Sequence, residues 1–267
     1  MRPPPGGRFV SGAVGATRPA RELTDARVDI ALVLIVGLVA GTIGGIVGFG
    51  SSIMLLPVLV IAYGPRLAVP IMAIASVMGN LARILAWWRA VDWRACAAYS
   101  ITAIPCAALG ARTLLALPPK WVEVALGLFF LAMIPTRRWL IAHDLRVNRW
   151  HLAMAGGLIG FLTGIVVSTG PINAPLFLAY GLTKGAFIAT EAAGSLAVYI
   201  SKAIAFRTLG ALPAEVLVQG LVTGSSLMVG TMFAKRFVLH LGPQHFRFIM
   251  DALLLVSGVA MVWAAFE

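Results

Sequence analysis

No charged residue falls between positions 30 and 65. As one helix at about 1.5 Å per residue, these 36 residues would reach about 54 Å, well past a hydrocarbon core of about 30 Å. The run is therefore expected to hold a first span (about 30–49), a chain break, and a short returning piece (about 52–63). Glycine tolerates open backbone angles, so the break is expected among Gly41, Gly44, Gly45, Gly48 and Gly50, with Gly37 just before them. Interrupted backbone at membrane depth persists only where protein or a watery cavity satisfies its polar groups. This segment is thus expected to line a site.

The second half replays the pattern. Thirty-two uncharged residues, 152–183, again exceed one span and break in their middle, at Val167-Ser168-Thr169-Gly170-Pro171-Ile172-Asn173-Ala174-Pro175. Further apolar stretches predict spans at 67–88, 95–115, 121–134, 185–206, 216–234 and 246–266. Landmarks recur at similar separations: Tyr63-Gly64 and Tyr180-Gly181 (117 residues), Gly110 and Gly230 (120), Pro119 and Pro243 (124). The expected fold class is an all-α polytopic membrane protein built from two repeats. Each repeat has a broken or re-entrant first element plus three spans, giving about eight crossings. The expected domains are a disordered basic N-terminal tail (1–27), a first membrane repeat (28–136), a central cytoplasmic loop (137–149) and a second membrane repeat (150–267). Repeats of this kind place transporter sites at their interface.

Composition fixes the class. The chain is 60% hydrophobic and 12% charged, with a mean hydropathy of +0.94, whereas soluble domains carry about 25% charged residues. A net charge of +11 would point to nucleic acid in a soluble protein. Here the cations sit in the tail and loops, where they set orientation and meet lipid headgroups, so no nucleic-acid partner is expected. With eight crossings, ten basic residues near the membrane fall inside and seven outside, which favours cytoplasmic termini and a cytoplasmic membrane location. Residues 1–27 do not read as a signal peptide, because the apolar run follows too late and is too long.

Two kinds of chemistry stand out. A short helix should begin at each break, near Ser51 and near Pro171, aiming free N–H groups and a positive dipole end into the protein. Such ends bind anions, and Ser51, Ser52, Ser168 and Thr169 add hydroxyls. Gly48, Gly50, Gly170, Pro171 and Asn173 complete the two breaks. For 41–45 the competing reading is close helix packing. The second feature is buried charge. Arg83, three residues after Asn80, and Lys202 lie 119 residues apart, at nearly matching positions of the two repeats. An ionised group near the bilayer centre costs at least about 2.5–3.5 kcal/mol, so each needs a partner, an aqueous cavity or a snorkelling path. Glu191 shares a helix face with Lys202 but lies about 16 Å from it along the axis. It could partner Arg83 across the repeat interface or carry a proton.

Other chemistry is not expected. His143, His151, His240 and His245 fall at loops or span ends without metal-ligand spacing, so no metal or other cofactor is anticipated. Cys96 and Cys106, about 15 Å apart along one helix, are beyond disulfide reach. No nucleophile–base arrangement points to an enzyme.

The motifs Gly44-Gly45-Ile46-Val47-Gly48-Phe49-Gly50-Ser51-Ser52…Pro57 and Ser168-Thr169-Gly170-Pro171…Pro175…Tyr180-Gly181-Leu182…Ala186-Phe187-Ile188-Ala189-Thr190, with the Val91-Asp92-Trp93 link, resemble the TauE/SafE family of sulfite exporters and related anion permeases. The resemblance covers about residues 30–266. It implies movement of sulfite, a sulfonate or another small organic or sulfur-containing anion, with substrate held at 48–52 and 170–173. Where the family usually has three glycines, this chain has Gly50-Ser51-Ser52; where it usually has Gly-Gly-Pro, this chain has Thr169-Gly170-Pro171. Hydroxyls in place of glycine alter the size and donors of the implied anion site.

The expected function is a secondary permease for a small anion, with the lipid bilayer as its other partner. Its expected substrate-binding set is Gly48, Gly50, Ser51, Ser52, Asn80, Arg83, Ser168, Thr169, Gly170, Pro171, Asn173 and Lys202, with Glu191 as a charge or proton partner. The alternative is a non-transporting membrane scaffold or anchor for another enzyme, which needs no intramembrane charge. Sequence leaves the oligomeric state open.

Overall fold

The glycine-rich segment stays helical longer than its glycine density implies. In the computed structural model, helix α1 (Arg18–Val47) runs through Gly37, Gly41, Gly44 and Gly45 before the chain breaks. The break is confined to 48–50, where Gly48 (φ 90°) and Gly50 (φ 102°) adopt left-handed backbone that other residues resist. The structure describes residues 18–118, 146–166, 169–182 and 184–237, with individual residues between 121 and 142 and at 255 and 259. Helix α1 starts within the stretch expected to be a disordered tail. Good helix formers around Ala20-Arg21-Glu22-Leu23 and Ala26-Arg27 account for that extension. Trp139 and Ala142, inside the expected central loop, are also helical.

Short α2 (Ser51–Tyr63) follows the first break and turns at Gly64 into α3 (Pro65–Trp87), whose first residue is proline, where a missing N–H costs nothing. A 3₁₀ turn (Trp88–Ala90) leads to α4 (Trp93–Ala116). Asp92 caps α4 by accepting from the Arg94 and Ala95 N–H groups at 3.0 and 3.1 Å. Helix α5 (Arg149–Ile165) opens on a reciprocal cap between Asn148 and His151. After the second break come short α6 (Gly170–Ala179), α7 (Lys184–Thr208) and α8 (Ala214–Phe237). Eight α-helices and one 3₁₀ turn thus have described bounds, and among the described residues four helices are long and apolar enough to cross a membrane. Of the span expected at 121–134, seven residues are described and all are helical; of that expected at 246–266, only Leu255 and Val259 are described, both helical.

Helices α3 and α7 are central. They pack on each other, and two-thirds of their apolar windows are buried, against under half for α4 and α8. Around this pair, α8 lies on α3 and α1 on α8, while α4 lies on α7 and α5 on α4. The outer faces present Ile35, Ile101, Leu109, Val218 and Met232, an apolar surface suited to lipid.

Glycine sets the two outer contacts. A Cβ at Gly41 would strike the Leu227 carbonyl, and one at Gly230 the Leu38 carbonyl, so α1 and α8 meet backbone to backbone. Gly110, Gly160 and Gly164 do the same between α4 and α5, against the carbonyls of Phe161, Ala103 and Ala107. Backbone cannot yield as a flexible side chain does. Gly110→Ala is therefore expected to cost about 1–3 kcal/mol through overpacking. At Gly157 an added Cβ would meet Thr102 at an ordinary 3.6 Å, so Gly157→Ala should melt no lower than the parent protein in detergent. Equal melting of the two variants would contradict this packing.

Candidate functional site

Both breaks open onto one polar cavity. The first turn of α2 brings Gly50, Ser51 and Ser52 to its wall, and the start of α6 brings Gly170 and Asn173, with Thr169 just before them. Neither N-cap, Gly50 or Thr169, makes a side-chain cap bond, and the start of each short helix, the end that carries its positive dipole charge, lines the cavity. The cavity is small, about 20 Å³, room for roughly one water molecule.

Helix α3 supplies Ser76, Asn80 and Arg83, spaced i, i+4 and i+7 along one face. Helix α7 supplies Glu191, Ser195, Val198 and Tyr199. These two stripes are joined by an ion pair: Arg83 Nη1 donates to Glu191 Oε2 at 2.9 Å. Arg83 Nη2 also donates to Asn80 Oδ1, and Asn80 Nδ2 donates to the Ser76 carbonyl at 2.7 Å, which fixes the amide's orientation. On the other side, Ser195 donates to Glu191 Oε1 at 2.7 Å. Arg83 is 8% exposed and Glu191 2%, so the charges compensate one another inside the protein. The Asp92 N–H donates to Thr190 Oγ1 at 2.9 Å, tying the α3–α4 link to the residue before Glu191.

The second break carries its own bonds. Tyr99 donates to Asn173 Oδ1 at 3.1 Å. The Thr163 hydroxyl donates to the Ile159 carbonyl at 2.7 Å, so in its 2.6 Å contact with Thr169 it accepts. Lys202 sits behind this break rather than in front of it. Its Nζ donates to the Thr163 and Val166 carbonyls at 2.7 and 2.9 Å and lies 5.5 Å from the Phe206 ring centre.

Nine expected site residues therefore line the cavity: Gly50, Ser51, Ser52, Asn80, Arg83, Thr169, Gly170, Asn173 and Glu191. Lys202, expected beside Arg83 as a second source of positive potential, does not. The last carbonyls of α5 form a negative end, and the ammonium is bound there instead. It is also fully buried, so it does not snorkel. Gly48 shapes the first break and Pro171 stands second in α6, neither lining the cavity. Ser168 lies outside the described residues. Sequence reasoning missed Phe49, Ser76, Tyr99, Thr163, Ser195, Tyr199 and Thr231, all of which line the cavity. A signal existed for two of them: Ser76 and Ser195 are 119 residues apart, the same separation as Arg83 and Lys202.

A family model described as "Sulfite exporter TauE/SafE" matches residues 33–261, most of the chain. The chain belongs to the TauE/SafE family. One relative, the probable membrane transporter protein YjnA of Bacillus subtilis (strain 168), is 23% identical over 255 residues, spanning 86% of this chain and 98% of the relative. No solved structure matches. Family, relative and apolar helices together make this TauE/SafE chain a multi-pass membrane transporter.

Two stability tests follow from these bonds. Arg83→Leu strands a buried carboxylate and should cost about 3–5 kcal/mol, whereas the double change Arg83→Leu/Glu191→Leu should recover most of that loss. A double variant no more stable than the single one in thermal melts would show that the pair is not the relevant contact. Lys202→Met leaves the α5 carbonyls without their ammonium and should cost about 1.5–3 kcal/mol. An unchanged melt would contradict the capping role.

Proposed function

We propose that this transporter carries a small anion, sulfite or an organosulfonate, across the cytoplasmic membrane by alternating access. The observation that carries this reading is the meeting of two uncapped helix N-termini and Arg83 around one enclosed polar cavity. Helix N-termini favour negative charge through free N–H groups and the dipole, and transporters use half-helices in this way for anionic groups. Ser51, Ser52 and Asn173 add neutral donors that suit an oxyanion. The family description supports sulfite as the first anion to test. A cavity with space for about one water corresponds to the occluded form, and substrate enters when the helices around it separate.

The proposal includes two repeats related by an approximate two-fold. Supporting it, the element order long, short, long, long occurs from α1 to α4 and again from α5 to α8. The contacts exchange accordingly: α1 lies on α8 as α5 lies on α4, with Gly230 and Gly110 at corresponding positions. Each repeat would be completed by a further span, giving about eight crossings with both termini cytoplasmic, as the basic residues favour.

Purified protein in liposomes should pass sulfite or methanesulfonate well above protein-free vesicles. Ser51→Leu and Asn173→Leu place bulk in the cavity and should abolish this flux while the protein remains folded and monodisperse. Absence of flux across a broad anion panel would overturn the proposal. Wild-type flux in Arg83→Leu would remove the site assigned here.

A further inference from the structure

Resting on the anion-carrier reading, a second consequence comes from the partner that Arg83 already has. The cavity is lined by one guanidinium and one carboxylate, and they are bonded to each other. An incoming anion therefore meets a site whose full positive charge is already compensated. Arg83 is also held from its own helix by Asn80, whose amide is in turn fixed by the Ser76 carbonyl. Among the described residues Glu191 is held by Arg83 and by Ser195, one turn along α7. If the pair parts, Arg83 keeps Asn80 and Glu191 keeps Ser195.

We infer that Glu191 is a built-in rival of the substrate for Arg83, and that the anion displaces it only together with one proton taken up by its carboxylate. A buried carboxylate without a cationic partner is strongly disfavoured in its charged form, so losing Arg83 to the substrate drives protonation. Ser195 suits both states: its hydroxyl donates to the carboxylate and can rotate to accept from the carboxylic acid. The balance closes. One anion pairs with Arg83, one proton neutralises Glu191, and release of both on the opposite side restores the ion pair. Anion and proton travel in the same direction.

The neighbours of Glu191 leave no competing acid in the cavity among the described residues. Helix α3 presents Arg83, and α4 presents Tyr99 with Cys96 behind it. Tyr199 and Lys202 share α7 with Glu191, Lys202 being engaged with the α5 carbonyls. Asp92 is held at the α3–α4 link as the cap of α4. The lining contributed by α1, α2, α5, α6 and α8 is uncharged.

Methanesulfonate is a suitable probe because it stays ionised throughout the working pH range, so any proton that moves belongs to the protein. Proteoliposomes with a pH-sensitive dye inside should acidify in step with methanesulfonate entry, one proton per anion. Uptake should be electroneutral, unchanged by an imposed potassium diffusion potential, and driven uphill by an acidic exterior. Glu191→Gln should lose the acidification per anion moved, and Glu191→Asp should restore it. Methanesulfonate or sulfite entry without proton movement, or with sensitivity to the potential for methanesulfonate, overturns this inference and leaves the carrier reading standing. Undiminished proton movement per anion in Glu191→Gln also overturns it. Absence of flux for both anions in the wild type overturns the carrier reading itself. The wild-type measurement decides even where Glu191→Gln moves nothing.

Discussion

A helix that stops inside a membrane leaves backbone groups that lipid cannot satisfy, and everything at the centre of this protein follows from that constraint. The two breaks meet it differently. At the first, the chain turns on glycine: the Gly48 N–H bonds back to the Gly44 carbonyl at 2.8 Å, and Thr231 on α8 donates to the Gly41 carbonyl at 3.1 Å. At the second, an ammonium from α7 closes the C-terminal end of α5. Protein groups thus reach carbonyls near both broken ends. The first residues of α2 and α6, by contrast, line the cavity.

The rest of the packing holds that geometry in place. Small residues let α1 approach α8 and α5 approach α4 at backbone distance. Between these outer pairs, α3 and α7 carry the buried charges among the described residues, Arg83, Glu191 and Lys202, and the Arg83–Glu191 pair ties the two helices together. A buried ion pair adds little net stability once its desolvation is counted, but it is costly to break from one side only. It therefore specifies the relative setting of α3 and α7 more than it stabilises the fold.

Much of this was legible in the chain. A 36-residue uncharged run cannot be one span, and the returning piece appears within a residue of the expected start at Ser51. Span limits for α3, α4, α7 and α8 follow the apolar stretches to within about three residues. The partnership of Glu191 with Arg83 was also readable, because a buried acid and a buried base on matching faces each need compensation. The start of the first break was not readable from glycine count. Gly41, Gly44 and Gly45 serve a neighbouring helix, and which neighbour comes close is a tertiary fact. Lys202 was misplaced for a related reason: its spacing gave the helix face but not the carbonyl end that α5 presents to it. Tyr99 reaches Asn173 from α4, across a sequence separation that no local pattern reveals.

The most direct measurement is thiol accessibility at Ser51 and Asn173, introduced as single cysteines after Cys96 and Cys106 are replaced by alanine. If the two helix starts share one anion site, a membrane-impermeant anionic thiol reagent should reach both positions, and sulfite should slow both reactions in parallel. Protection of neither position by sulfite or by any sulfonate, or protection of one without the other, would contradict a common site.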